Sequence, residues 1–144
     1  MTLDYNGKVV IVTGAGGGLG RCHALEFARR GAKVVVNDLG GAVDGSGGSS
    51  EAADKVVEEI KAAGGEAMSN GSSVTDDAGV ANMVQQTMDA YGRIDVLVNN
   101  AGVLRDKSFA KMEIADFDFV VDVHLFGTMK PTKAVWPIMK EQGY

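Results

Sequence analysis

Cysteine is nearly absent from this sequence of 144 residues, which carries only Cys22. One thiol cannot close an internal disulfide, and Cys22 has no companion at metal-ligand spacing. A disulfide scaffold and a cysteine metal site are therefore excluded, and a reducing compartment, the cytoplasm, is expected. Cys22 itself reads as a packed small hydrophobe. Basic charge is scarce as well: 14 Lys and Arg against 19 Asp and Glu leave a net charge of -5. That balance lacks the footprint of a nucleic-acid binder and opposes docking on acidic lipid. No apolar run reaches the roughly 18 residues that cross a bilayer, and the N-terminus has no charged start followed by an apolar stretch. The partners expected are small molecules, with neither nucleic acid nor membrane among them, and no metal site is expected.

What the sequence does have is apolar residues, 45% of the total, and 20 glycines. This suits one ordinary domain over residues 1–144. Its periodicities repeat. Lys8 to Thr13 is a continuous run rich in branched residues, the pattern of a strand covered on both faces, and Lys33 to Asn37 repeats it. Between them lies a helix closed by Gly31. A second helix starts at a cap near Ser49 or Ser50 and places Ala53, Val56, Val57 and Ile60 on one face. Glu66 to Ser69 is a short strand. Thr75 is expected to cap a third helix, whose Val80, Val84, Thr87, Met88 and Tyr91 share a face and which Gly92 stops before a strand from Ile94 to Asn99. One long helix from Ala115 to Gln142, bent by Pro131 and Pro137, closes the sequence. Met112, Met129 and Met139 read as core fillers and Trp136 as packing or a subunit contact.

Strands buried on both faces and joined by helical crossovers make a parallel sheet. The expectation is a doubly wound α/β (Rossmann) domain with right-handed crossovers, strand order 3-2-1-4 and a crevice between strands 1 and 4 where the order reverses. Strand 4 would then lack a neighbour on one edge, and residues 1–144 alone are expected to be unstable or associated, with a homo-oligomer as the expected state.

Into that crevice opens "TGAGGGLGR", Thr13 to Arg21. A strand-to-helix turn needs residues without a β-carbon where it bends, and it bares the amides of the helix's first turn to an anion. The strict G-x-G-x-x-G register fails, since the sixth residue counted from Gly14 is Leu19 and from Gly16 is Arg21. A wider spacing fits: Gly14 for the tight turn, Gly18 for approach of a pyrophosphate, and Gly20 for close lie of the helix on the sheet. No Gly-Lys-Ser/Thr follows, so a nucleoside-triphosphate loop is excluded. The bland alternative is a merely flexible turn. Asp38 ends the second strand, where a carboxylate can accept both hydroxyls of an adenosine ribose, and this favours NAD. A 2'-phosphate would meet repulsion there, and Arg21 is the only nearby basic residue in sequence that could relieve it. "GGAVDGSGGSS", Gly40 to Ser50, reads as an insertion beside the adenosine. His23 and His124 are lone histidines of a kind that is more often structural than chemical.

These residues resemble the short-chain dehydrogenase/reductase family. "TGAGGGLG" matches its T-G-x-x-x-G-x-G motif and "NNAG", Asn99 to Gly102, its second signature. Within the family the chain is similar to the (3R)-hydroxyacyl-CoA dehydrogenase part of type 2 multifunctional enzymes of peroxisomes and their bacterial relatives, through "VVVNDLGG", "AADKVVEEI", "NNAGVLRDKSFAKM" and "VHLFGT". By this resemblance Gly14, Gly17, Gly18, Leu19 and Gly20 line the pyrophosphate and Asp38 holds the adenosine ribose. Ser73 and Val74 take the adenine-contact position, where the family usually has Asp instead of Ser73. Asn100, Ala101 and Gly102 meet the nicotinamide-side ribose through backbone and side chain. His124 stands where the family has the Asn of N-x-x-G, either holding a proton-relay water or filling a helix kink.

The resemblance also implies a catalytic Ser and a Tyr-x-x-x-Lys pair, which residues 1–144 do not include: Tyr5 is followed four residues on by Val9, Tyr91 by Asp95, and Tyr144 by nothing. The expected function is thus the cofactor-binding half of an NAD-dependent oxidoreductase on a secondary alcohol or ketone such as 3-hydroxyacyl-CoA, with Leu104 to Met112 as a substrate rim. The alternative is a non-catalytic dinucleotide-binding or assembly module.

Overall fold

A computed structural model describes residues 3–41, 45 and 51–144. Strands β1 (Val9–Thr13), β2 (Lys33–Asn37), β3 (Glu66–Asn70) and β4 (Val96–Val98) alternate with helices α1 (Gly18–Arg29), α2 (Glu51–Ala62) and α3 (Asp77–Tyr91). Helices α4 (Ile114–Val121) and α5 (Gly127–Gln142) follow, joined by a π-helical turn, Asp122–Phe126. The four strands form one parallel sheet in the order β3-β2-β1-β4, which is the topology the sequence predicts.

Period-two alternation divides the core between the two faces of the sheet. Val10, Val12, Val34 and Val36 pack on one side against Ala24 and Ala28 of α1 and Ala53, Val56 and Ile60 of α2. Ile11 and Val35 face the other side, with Met83 of α3 and Val135 of α5. Each such Val or Ile side chain contributes about 1.5–3 kcal/mol by leaving water. The buried face of α1 is a stripe of small residues, Gly20, Ala24 and Ala28, four residues apart, so this helix lies close on β1 and β2.

That stripe explains one departure from the sequence reading. Cys22 sits two residues from Gly20, on another side of the helix, and is exposed rather than packed. Met129 departs for the same reason. The buried positions of α5 are Gly127, Pro131 and Val135, and Met129 lies between two of them in sequence but off their face, 44% exposed.

Other boundaries shift by identifiable hydrogen bonds. Helix α3 is capped by Asp76, not Thr75: the Asp76 carboxylate accepts from the Gly79 amide at 2.7 Å, while the Thr75 hydroxyl is turned to Ser73 at 2.9 Å. Strand β4 is three residues long, and at its start the Gln142 side chain takes the backbone of Ile94, donating to its carbonyl at 2.6 Å and accepting from its amide at 3.1 Å. The long helix expected at the end runs without interruption from Ile114 to Gln142; it contains one π-helical segment, Asp122–Phe126, and keeps Pro131 and Pro137 inside α5. The expected cap at Ser49 or Ser50 lies outside the described residues.

At the amino end of the sheet the buried Asp95 carboxylate holds β1 to β4. It accepts from the Val9 amide at 2.9 Å and from two nitrogens of Arg93 at 2.7 and 2.6 Å, with the Lys8 ammonium 3.6 Å away. Burial pushes this carboxyl up, but the Arg93 and Val9 hydrogen bonds and the charges of Arg93 and Lys8 outweigh it and hold it below the ordinary value of 3.8. A depressed pKa contributes stability that is present in full above about pH 4 and is lost as pH falls through the folded-state value. Asp95→Asn should therefore cost about 1–3 kcal/mol at pH 7 and flatten the dependence of stability on pH below 4. Denaturant unfolding at pH 7 and pH 3 measures both effects, and an unchanged acid slope in the variant would refute this role for Asp95.

Candidate functional site

The carboxyl ends of the four strands converge on one cleft, and β1 supplies its anchor. Thr13, the last residue of β1, accepts the amides of Asn100 and Ala101 on its hydroxyl at 3.1 and 3.0 Å and donates to the Val98 carbonyl at 3.3 Å. In return the Asn100 side-chain amide donates to the carbonyls of Thr13 and Gly14 at 3.1 and 3.0 Å. The turn after β1 and the turn after β4 are thereby stitched together. Gly14 has φ of 62°, and a β-carbon there would lie 2.8 Å from the Ala101 Cα, so both conformation and space demand glycine. Gly20 is closed in by the Gly14 carbonyl and the Asn100 amide.

Beyond that stitch, α1 begins with bare backbone. Gly17 occupies the cap position and has no side chain with which to cap, and the first turn holds no acidic residue. The first backbone bond of the helix runs from the Arg21 amide to the Gly17 carbonyl at 3.0 Å. The amides of Gly18, Leu19 and Gly20 thus have no intrahelical acceptor. Positions 17 and 18 open on free space, with no atom within 4 Å of where a β-carbon would stand.

Asp38 closes the other wall. One carboxylate oxygen accepts from the Gly16 amide and the other from the Gly40 amide, each at 2.7 Å. This fixes the group at the lip of the glycine turn. Behind it a buried amide network sets the ends of β2 and β3: Asn37 donates to the Asn70 side chain at 2.8 Å and to the Ser72 carbonyl at 2.9 Å, and Asn70 donates to Gln86 at 2.7 Å.

The cleft so formed has a volume of about 470 Å³. It brings together Gly14, Gly17, Gly18, Asp38, Ser73, Val74, Asn100, Ala101 and Gly102 among the residues expected from sequence. Three others fall elsewhere. Leu19 points its side chain to solvent, 74% exposed, and Gly20 is buried behind the turn. His124 lies in the π-turn with its Nε2 at 2.9 Å from the Val103 carbonyl and 3.0 Å from the Val103 amide. Either tautomer of that ring finds a partner on Val103, and the ring fills the space that a β-carbon on Gly102 would need, with Cε1 2.8 Å away. His124 thus fastens the kink to the loop after β4 and borders a smaller pocket of about 270 Å³ beside the cleft.

Two of these residues also make internal contacts. The Asn100 side-chain amide donates to the carbonyls of the neighbouring turn, and its backbone amide donates to the Thr13 hydroxyl. The Ser73 hydroxyl accepts from the Thr75 amide at 3.2 Å. Sequence reasoning missed Thr13, Gly16, Asn37, Leu39, Phe119 and Val123, all at or on the cleft. Thr13 carried a signal as the first residue of the glycine motif, and Phe119 and Val123 carried only helical spacing. Of the insertion Gly40 to Ser50, the described Gly40, Gly41 and Gly45 line the cleft, and Gly45 stands against the Phe119 ring. A second depression of about 490 Å³ lies at the C-terminal ends of α1 and α2, away from the strands' carboxyl ends where open parallel sheets bind ligands.

Comparison with known proteins agrees with this geometry. The sequence profile of the short chain dehydrogenase family matches residues 8–144. The chain is 58% identical over 144 residues to the peroxisomal multifunctional enzyme A of Dictyostelium discoideum, covering 100% of this chain and 32% of that protein. It is 54% identical over 142 residues to the peroxisomal multifunctional enzyme type 2 of Mus musculus, covering 99% of this chain and 19% of that protein. A solved structure of 7α-hydroxysteroid dehydrogenase complexed with NADH and 7-oxo glycochenodeoxycholic acid superposes with a TM-score of 0.87 at 34% identity, covering 97% of this chain and 51% of that one. The chain therefore spans a third or less of those two relatives and about half of the solved chain. With glycine turn, strand-end aspartate and stitched loops in one parallel sheet, and with its profile matched along nearly its whole length, the chain belongs to the short-chain dehydrogenase family.

Proposed function

We propose that residues 1–144 form the cofactor-binding half of an NAD-dependent oxidoreductase that interconverts a secondary alcohol and a ketone, with 3-hydroxyacyl thioesters such as 3-hydroxyacyl-CoA as the substrate class. The observation that carries this reading is the Asp38 carboxylate, fixed by two amides at the edge of the glycine turn. An ionised carboxylate offers about four acceptor sites. Two are taken by Gly16 and Gly40, which leaves two for the vicinal hydroxyls of an adenosine ribose. The free amides at the start of α1 fit the diphosphate, and the backbone of Asn100 to Gly102 borders the far end of the cleft, where the nicotinamide ribose belongs. Bound there, the cofactor supplies hydride transfer. Asp38 favours NAD over its 2'-phosphorylated form, because a phosphate there would meet a fixed carboxylate.

The same proposal divides the labour. These residues bind and orient the dinucleotide, and the acid/base group for the reacting oxygen is a Ser and a Tyr-x-x-x-Lys pair outside residues 1–144. His124, held on the Val103 backbone, positions the kinked helix beside the cleft. The hydroxyacyl class draws its support from the sequence resemblance, and the peroxisomal names of the two curated relatives stand against the cytoplasmic placement drawn from Cys22. Self-association is supported by the exposed Phe117, Leu125 and Trp136 along α4, the π-turn and α5.

Gly17 gives the sharpest test. Its backbone is extended, with φ of -165°, and nothing lies within 4 Å of its β-position. Gly17→Val should keep stability within about 1 kcal/mol yet weaken NAD+ more than about tenfold by filling the diphosphate space. Asp38→Ala should weaken NAD+ by about tenfold or more, the worth of hydrogen bonds to a charged acceptor. Calorimetric titration of each variant measures this, and unchanged affinity in both would remove the cleft from cofactor binding. Turnover of 3-hydroxyacyl-CoA with NAD+ by residues 1–144 alone should be undetectable at 340 nm absorbance, and measurable activity would overturn the division of labour.

A further inference from the structure

The wall that carries Asp38 has a second side. A depression of about 350 Å³ shares Gly16, Gly41 and Ala52 with the cleft and continues to Arg21, Lys55 and Glu59. Gly16, whose amide holds Asp38, belongs to its lining, so this depression adjoins the space around the Asp38 carboxylate. Arg21 stands at the first turn of α1 and is the cation best placed to meet an anion there, because a guanidinium matches phosphate with two parallel donors. That fork is already engaged. The Arg21 Nε donates to Glu59 Oε1 at 3.1 Å, and its Nη2 closes the pair on Glu59 Oε2. Lys55 is likewise paired, with Glu51 at 2.8 Å. Among the described residues, the two cations lining this depression are matched by the carboxylates of Glu51 and Glu59, with Asp38 held beside it on the Gly16 amide.

Resting on the NAD reading of the cleft, we infer that Glu59 is a specificity-determining residue: by occupying the Arg21 guanidinium it withholds the cation that a 2'-phosphate at Asp38 would need. Rejection of the phosphorylated dinucleotide is then shared between the strand-end aspartate and the facing surface of α2. Glu59 holds the Nε/Nη2 edge of the guanidinium and neutralises its charge, so a phosphate would have only the Nη1 edge, beside a carboxylate that repels it. The pair is exposed, at 40% and 44% of the two side chains, so its worth to stability is small. Its effect on a phosphate is different in kind, since removing Glu59 both deletes a negative charge and frees a positive one.

The test is the ratio of affinities for NADP+ and NAD+, measured by titration of the protein and of its Glu59→Gln, Asp38→Ser and Asp38→Ser/Glu59→Gln variants. Glu59→Gln should shift the ratio toward NADP+ by about fivefold, and by about tenfold when added to Asp38→Ser, with both shifts shrinking at high salt. Adding Arg21→Gln should cut the shift to the smaller part that comes from loss of the Glu59 charge alone. A ratio that does not move on Glu59→Gln in either background, or that moves equally without Arg21, overturns the inference. Loss of affinity for both cofactors alike would mark Glu59 as structural and overturn it too. Failure of the unsubstituted protein to bind NAD+ would instead refute the reading of the cleft itself, and that result precedes any variant.

Discussion

A hydroxyl and an amide hold this site together. Thr13 and Asn100 lie 87 residues apart in the chain, and their reciprocal hydrogen bonds bind the turn after β1 to the turn after β4. Without that stitch the glycine turn would be a loop with no fixed aim. With it, Gly14 is pressed against Ala101, Gly20 is pressed against Gly14, and the first amides of α1 are left pointing at one place. The geometry excludes a side chain where two backbones meet, which accounts for Gly14 and Gly20, while Gly16 gives way to the Asp38 carboxylate and Gly17 and Gly18 leave open space at the start of α1.

Electrostatics then divide the cleft into two regions of opposite character. The start of α1 presents unpaired donors and no acidic side chain, so it favours a diphosphate. The Asp38 wall presents a fixed carboxylate backed by the paired charges of α1 and α2, so it favours neutral hydroxyls. A dinucleotide has that order of groups along its length. The sheet supplies the distance between the two regions because β1 and β2 are adjacent and parallel, with Thr13 opposite Asn37 in register.

Much of this was legible in the sequence, because the signals are local. Continuous branched runs separated by helical spacing fix a parallel sheet, the handedness of crossovers fixes its order, and a glycine turn followed by a strand-end aspartate marks the lining of the cleft. What was not legible depends on residues distant in the chain or on one-residue choices. Thr75 and Asp76 are both capping residues, and only the contact of Thr75 with Ser73 decides between them. A π-turn adds one residue to a helix without changing the composition that forms it. The side on which Cys22 and Met129 fall is set by neighbours of one residue in size, and the commitment of Asn100 to Thr13 needs the folded sheet.

The most direct measurement is the map of backbone amide chemical shifts on titration with NAD+. The largest changes are expected at Gly18 to Gly20, whose free amides would meet the diphosphate, and at Gly16 and Gly40, whose acceptor Asp38 would take the ribose hydroxyls, with smaller ones at Ser73, Val74 and Asn100 to Gly102. Changes confined to Arg29 to Gly31 and Gly64 to Gly65, at the opposite end of the sheet, would contradict the assignment of the cleft.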